Sequence, residues 1–316
     1  MGCGKGSLSI LRTLLLKLST RQRIGEGMDR LPAARRFVRR FVAGATAEDA
    51  LAVLGRLNAQ GLLSAVTYLG ENVTTSADAA RAAQAYLGLV DEIERRGLRT
   101  APSLKLTHLG LDLGESVCRA NLEKVLARSR EAGIRVWIDM ESSAYTDRTL
   151  EMYERVSPAY PNAACVVQAY LRRTAQDVER LIELGAAVRL CKGAYHEPPE
   201  IAFPAKRDVD ANYARLIERL LAPDAQGRGV YPGFATHDER LQGRARDLAR
   251  ERGIAGDRFE IQMLYGIRGD LHARLAAEGL ALRVLVPYGE DWYGYFVRRL
   301  AERPANLLFF LRHLGR

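Results

Sequence analysis

From about residue 60 onward, short apolar runs recur, each closed by a polar or glycine-containing exit and followed by a helical pattern. The apolar runs predict strands at Leu62–Tyr68, Ser103–Thr107, Arg135–Met140, Ala164–Ala169, Ala187–Cys191, Gly233–His237, Phe259–Leu264 and Leu282–Pro287. Apolar residues at helical spacing predict helices at Ala79–Arg96, Val117–Ala132, Arg148–Val156, Ala175–Leu184, Asp208–Leu221, Asp238–Arg252 and Asp270–Glu278. Eight such alternations predict an α/β fold, a parallel sheet closed into a (βα)8 TIM-type barrel. The barrel takes residues 61–316, a helical segment takes 1–60, and a final helix from Glu290 lies at the carboxyl face. Residues 222–232 read as a loop. A doubly wound open sheet is the competing fold, but a nucleotide-binding version needs GxGxxG after its first strand. The exit here is Tyr68-Leu69-Gly70-Glu71-Asn72.

Composition narrows the class. With 47% hydrophobic and 27% charged residues the chain is not wholly disordered. No run of about 18 uncharged apolar residues occurs, so no transmembrane helix is expected. Cys3, Cys118, Cys165 and Cys191 are scattered, with no close-spaced pair, which argues against a disulfide framework or a cysteine zinc site and fits a reducing, cytoplasmic location. The five histidines form no HExxH pair and no metal site is expected; GxSxG is also absent. The net charge of +9 allows attraction to an anionic partner, yet no nucleic-acid motif is present. The amino-terminal Gly2-Cys3-Gly4-Lys5-Gly6-Ser7 lacks P-loop and myristoylation spacing. The basic stretch from Arg12 to Arg40 reads as amphipathic helix packed by its apolar side. Peripheral contact with the inner face of the cell membrane is the alternative.

In a barrel of this kind, chemistry collects where strands end. The polar residues at those exits are Lys105, Asp139, Gln168, Arg189, Lys192, Thr236, His237 and Gln262. Unpaired charges there suggest a ligand, since burial of a lone charge is costly. Arg189 and Lys192 place two cations around strand five, and Gly193 lets backbone approach a ligand, which suits a phosphate or pyrophosphate. In Thr236-His237-Asp238-Glu239 the two acids are expected to open the next helix rather than bind metal. Tyr295, Arg298 and Arg299 stand at i, i+3 and i+4, so two guanidiniums and a phenol share one helix face and can grip a carboxylate; pairing of Arg298 with Glu302 is the alternative.

The strings VRLCKGAYHEP, ATHDER, FEIQMLYG and YGEDWYGYFVRRLAERPANLLFFLR, with LTHLGLD and WIDME, span about residues 60–312 in consistent order. In this combination the chain resembles the monofunctional bacterial proline dehydrogenases. The resemblance implies an FAD-dependent flavoenzyme that oxidises L-proline to 1-pyrroline-5-carboxylate by hydride transfer, with a quinone as electron acceptor. It implies Asp139 and Arg189 as catalytic residues, the first orienting an ionic network and the second beside the flavin ring. Lys105, Arg298 and Arg299 would hold the proline carboxylate, and Ala194, Leu264 and Tyr295 would line the ring pocket. Met140, Val166, Gln168, Arg189, Lys192, Gly193, Ala194, Tyr195, Thr236, His237 and Glu302 would surround FAD. One departure stands out. Where family members commonly carry tyrosine near the end of strand eight, this chain has Leu285, and Tyr288 lies an odd number of residues away.

Overall fold

In a computed structural model, the described residues are 38–302, with side chains to residue 297. Helix α1 (Ala47–Ala59) opens on a capping box, in which the Thr46 side chain accepts from Asp49 N–H and the Asp49 carboxylate accepts from Thr46 N–H. There follow β1 (Leu63–Tyr68), α2 (Ser76–Arg95), β2 (Thr100–Leu104), α3 (Glu115–Glu131), β3 (Val136–Ile138) and α4 (Thr146–Val156). Then come β4 (Ala163–Gln168), α5 (Thr174–Glu183), β5 (Ala187–Cys191), α6 (Lys206–Leu220), the short α7 (Pro223–Gly227) and β6 (Tyr231–Ala235). The chain continues through α8 (Glu239–Glu251), β7 (Glu260–Leu264), α9 (Gly269–Ala277), β8 (Leu282–Tyr288) and α10 (Trp292–Glu302).

All eight strands are parallel and close in chain order, with β8 returning to β1 from Leu63↔Arg283 to Tyr68↔Tyr288. This is the expected (βα)8 barrel. Its strands are buried on both faces, and β4 is buried throughout, which explains why they read as apolar runs rather than alternating ones. The helices bury one stripe each, as α5 does with Val178, Leu181 and Ile182.

Several boundaries differ from expectation, and three of them have a clear local cause. β2 begins and ends three residues early, because the chain leaves the sheet at Lys105 and turns so that Leu106, Leu109 and Leu111 are buried. β6 begins two residues early and includes Tyr231 and Pro232. Tyr231 is anchored there by the Arg135 guanidinium, 4.2 Å from its ring centre, and by a 3.1 Å hydrogen bond to Glu260. The expected loop at 222–232 contains α7, started by Pro223 at a first-turn position that needs no N–H.

A second, smaller apolar cluster sits beside the barrel. Val38, Phe41 and Val42 pack with Leu69, Ile267, Trp292, Tyr295 and Phe296. The expected packing by the apolar side thus holds for the end of the basic stretch; residues 1–37 lie outside the described region.

Candidate functional site

The barrel interior is unusually polar along one line. Asp139 follows β3 directly, and its N–H still donates to Leu104 O at 2.8 Å. Its Oδ1 accepts from Ser103 Oγ at 2.7 Å and from Arg189 Nη1 at 2.8 Å. Arg189 Nη1 also donates to Ser103 Oγ at 2.7 Å, and its Nε donates to Gln262 Oε1 at 2.5 Å. The guanidinium carbon lies 4.5 Å from the centre of the Trp137 ring, within cation–π range. Burial lowers the Arg189 pKa, and the Asp139 charge opposes that shift. Two donors of this cluster are left over among the described residues: Arg189 Nη2 and Trp137 Nε1 are buried and have no hydrogen-bond partner there. A buried charged group with an unmade bond costs on the order of 1–3 kcal/mol, so it marks a place where a ligand acceptor belongs.

Lys105, just past β2, pairs with Glu71 at 2.8 Å. Two residues further, Thr107 donates from N–H (3.1 Å) and Oγ1 (2.6 Å) to the Glu141 carboxylate. Burial pushes Glu141 up to about 7, against the pull of those hydrogen bonds and of Lys105. Burial and the Lys105 charge push His108 down to about 4. Gln168 Nε2 donates to Glu141 O at 2.8 Å, tying the ends of β3 and β4 together.

At the β5 exit Lys192 pairs with Asp210 at 2.6 Å and Asp238 at 3.1 Å. The expectation of unpaired strand-end cations is corrected here, because α6 and the start of α8 each supply a carboxylate. Burial alone would raise Asp238, but Lys192 and Arg240 hold it down at about 2. Asp238 caps α8, accepting from Arg240 N–H at 3.2 Å, as its position before the helix suggested. Gly193 has φ +111°, and a Cβ there would collide with the Tyr170 ring, so glycine is required at this bend. Thr236 Oγ1 accepts from Asp238 N–H at 3.1 Å, and His237 Nε2 accepts from Leu264 N–H at 3.0 Å.

Arg189 and Gln262 are central in their strands rather than at exits; their length carries their polar ends to Asp139 and Glu260. Met140 and Val166 are buried, and Val166 is the register partner of Arg189. Ala194 and Tyr195 follow Gly193 and are partly buried. Leu264 packs against the cluster that contains Tyr295. Arg298, Arg299 and Glu302 continue α10, but their side chains lie outside the described residues. Leu285 is half-buried and pairs with Ala65 and Leu264. By strand parity it shares the inward face with Arg283. Tyr288 takes the other face and stacks on Tyr68 with ring centres 5.2 Å apart. Sequence reasoning passed over Ser103 and Trp137. Both stand on a strand two residues before a named site residue at its exit, and a period of two counted back from Lys105 and Asp139 finds them.

A closed (βα)8 barrel that gathers a buried arginine, a carboxylate and cations toward one end defines a barrel enzyme with a polar site at its carboxyl face. The family model for proline dehydrogenase matches residues 50–312, and the chain belongs to that family. It is 40% identical over 270 residues to Proline dehydrogenase 2 of Bacillus subtilis, covering 85% of this chain and 88% of that one. It is 37% identical over 278 residues to Proline dehydrogenase of Deinococcus radiodurans, covering 86% and 88%. Among solved structures, proline utilization A from Bdellovibrio bacteriovorus, inactivated by N-propargylglycine, matches with a TM-score of 0.79 at 26% identity. The match covers 85% of this chain and 33% of that longer one. The chain is an oxidoreductase acting on proline.

Proposed function

We propose that the chain oxidises L-proline to 1-pyrroline-5-carboxylate with FAD held noncovalently at the carboxyl face of the barrel, and that the electrons pass on to a quinone. The observation that carries this reading is the orphaned Nη2 of Arg189, a charged donor fixed on its other sides and lacking an acceptor. Gly193 adds a positive-φ bend packed on the Tyr170 ring, and Lys192 beside it is held in place by Asp210 and Asp238. These features fit a bound flavin nucleotide. Lys192, Gly193, Ala194, Tyr195, Thr236 and His237, from the exits of β5 and β6, would hold it, with Met140, Val166, Gln168 and Glu302 around it.

FAD bound there supplies the hydride acceptor for the ring carbon beside the proline nitrogen; the nitrogen gives up a proton as the C=N bond forms. The protein's part is position and charge. Lys105, Arg298 and Arg299 would clamp the proline carboxylate, and Leu264 and Tyr295 would wall the ring. Asp139 holds Arg189 by a direct ion pair of 2.8 Å. The basic stretch at residues 12–40 would bring a barrel that hands electrons to a quinone toward an anionic membrane surface. Vesicle binding that salt weakens is the signature of that contact. Titrating FAD into flavin-depleted protein tests the cofactor assignment. Saturable uptake of one FAD per chain is expected, and failure to take up any would overturn it.

A further inference from the structure

Beneath Arg189 lies a column of buried polar groups that the reading above does not use. Arg283 on β8 grips Glu260 on β7 with Nε at 2.7 Å and Nη2 at 2.9 Å, and its Nη1 donates to Ser64 O at 2.7 Å. Glu260 is fully buried. Burial works against its charge, yet Arg283 keeps its pKa below the ordinary value. Gln262 stands two residues on, so it faces the same way. Its Nε2 donates to Glu260 Oε1 at 2.5 Å, while its Oε1 accepts from Arg189 Nε at 2.5 Å.

The amide has no freedom to turn over. A carboxylate below can only accept, and a guanidinium above can only donate, so oxygen must face Arg189 and nitrogen must face Glu260. The neighbouring strand is cut to fit. Gly233 on β6 is the register partner of both Arg189 and Glu260, and a Cβ there would collide with Gln262 Nε2. The column therefore runs from Arg283 through Glu260 and Gln262 to Arg189, with Gly233 making the space for the amide.

We propose that Gln262 is a positioning residue for Arg189, its amide transmitting the fixed Glu260–Arg283 pair to the guanidinium that faces the flavin. Asp139 and Ser103 hold Nη1 from one side, and Gln262 holds Nε from another. Together they leave only Nη2 for the ligand. This rests on the flavin reading for its consequence, but the hold on Arg189 is a property of the chain itself.

The test uses Gln262→Met, which keeps bulk and removes both hydrogen bonds, and Gly233→Ala, which leaves Gln262 in the sequence but displaces its amide. Two readouts separate positioning from general damage. The first is emission from Trp137 in flavin-depleted full-length protein carrying Trp292→Phe; Trp137 is then the one tryptophan, and the Arg189 cation lies over its ring. Both variants are expected to change that emission, and this arm holds whether or not the flavin reading does. The second is the midpoint potential of the bound flavin. A less firmly held cation stabilises reduced flavin less, so the potential shifts negative. Flavin reduction by saturating proline slows about 10-fold, while proline KM changes far less. Unchanged Trp137 emission in folded variants would overturn the proposal. So would an unchanged potential in variants that retain flavin. Loss of folding in both variants would make Gln262 a structural residue and would also overturn it.

Discussion

Leu285 and Glu141 show how single residues shape the site. Leu285 lies on the inward face of β8 beside Leu264 and Ala65, so it presents apolar bulk without a phenol. An apolar wall disfavours a hydroxyl added to the proline ring by roughly 1–3 kcal/mol when that hydroxyl loses hydrogen bonds. Leu285→Tyr is expected to keep activity and move mainly KM, altering the ratio of kcat/KM for proline and 4-hydroxyproline. Identical constants for both substrates in both proteins would remove Leu285 from the pocket. Glu141 sets a pH dependence. Burial raises its carboxyl to about 7 in the folded chain, above the ordinary 4.5. Below about 4.5 both folded and unfolded chains hold the proton, and the stabilising contribution is complete. It is lost as pH rises through 4.5 to 7, where the unfolded chain ionises first. Glu141→Gln removes that loss, an effect of at most about 3 kcal/mol. Thermal melts from pH 5 to 7.5 should show a flatter profile in the variant; parallel profiles would assign Glu141 an ordinary pKa.

At the scale of elements, the strand exits gather much of the candidate site, and each exit bends in a way its residues dictate. The β5 exit is the sharpest case. Gly193→Ala combines a positive φ with a collision against Tyr170. It is expected to cost about 2 kcal/mol or more and to lower flavin content together with the melting temperature. A variant with normal flavin content and melting temperature would show that the bend relaxes at no cost. The alternation of strands and helices was legible in the sequence because parallel strands buried on both faces leave apolar runs between amphipathic stretches. The slips had local causes. Lys105-Leu106-Thr107 looks like alternating strand but turns under its leucines, and Tyr231-Pro232 looks like a break but is held in β6 by Arg135 and Glu260. Asp139, Arg189 and Lys192 were legible as charges at the ends of apolar runs or inside them. The partners Asp210 and Asp238 of Lys192 were not, because pairing between distant elements leaves no mark in local spacing.

Across the whole molecule, barrel closure joins residues far apart in the chain into one polar column. Arg283 on the last strand reaches Ser64 on the first, and Glu260, Gln262, Arg189, Ser103 and Asp139 continue from β7 through β5 to β2 and β3. No helix among the described residues is long and apolar enough to cross a membrane. The central claim is that this closed barrel brings proline and a flavin together on its carboxyl face, and it is tested most directly by anaerobic addition of L-proline to the purified yellow protein while the visible spectrum is followed. Bleaching of the oxidised flavin, with 1-pyrroline-5-carboxylate formed in equal amount, is the predicted result. A flavin spectrum that proline leaves unchanged would contradict the account.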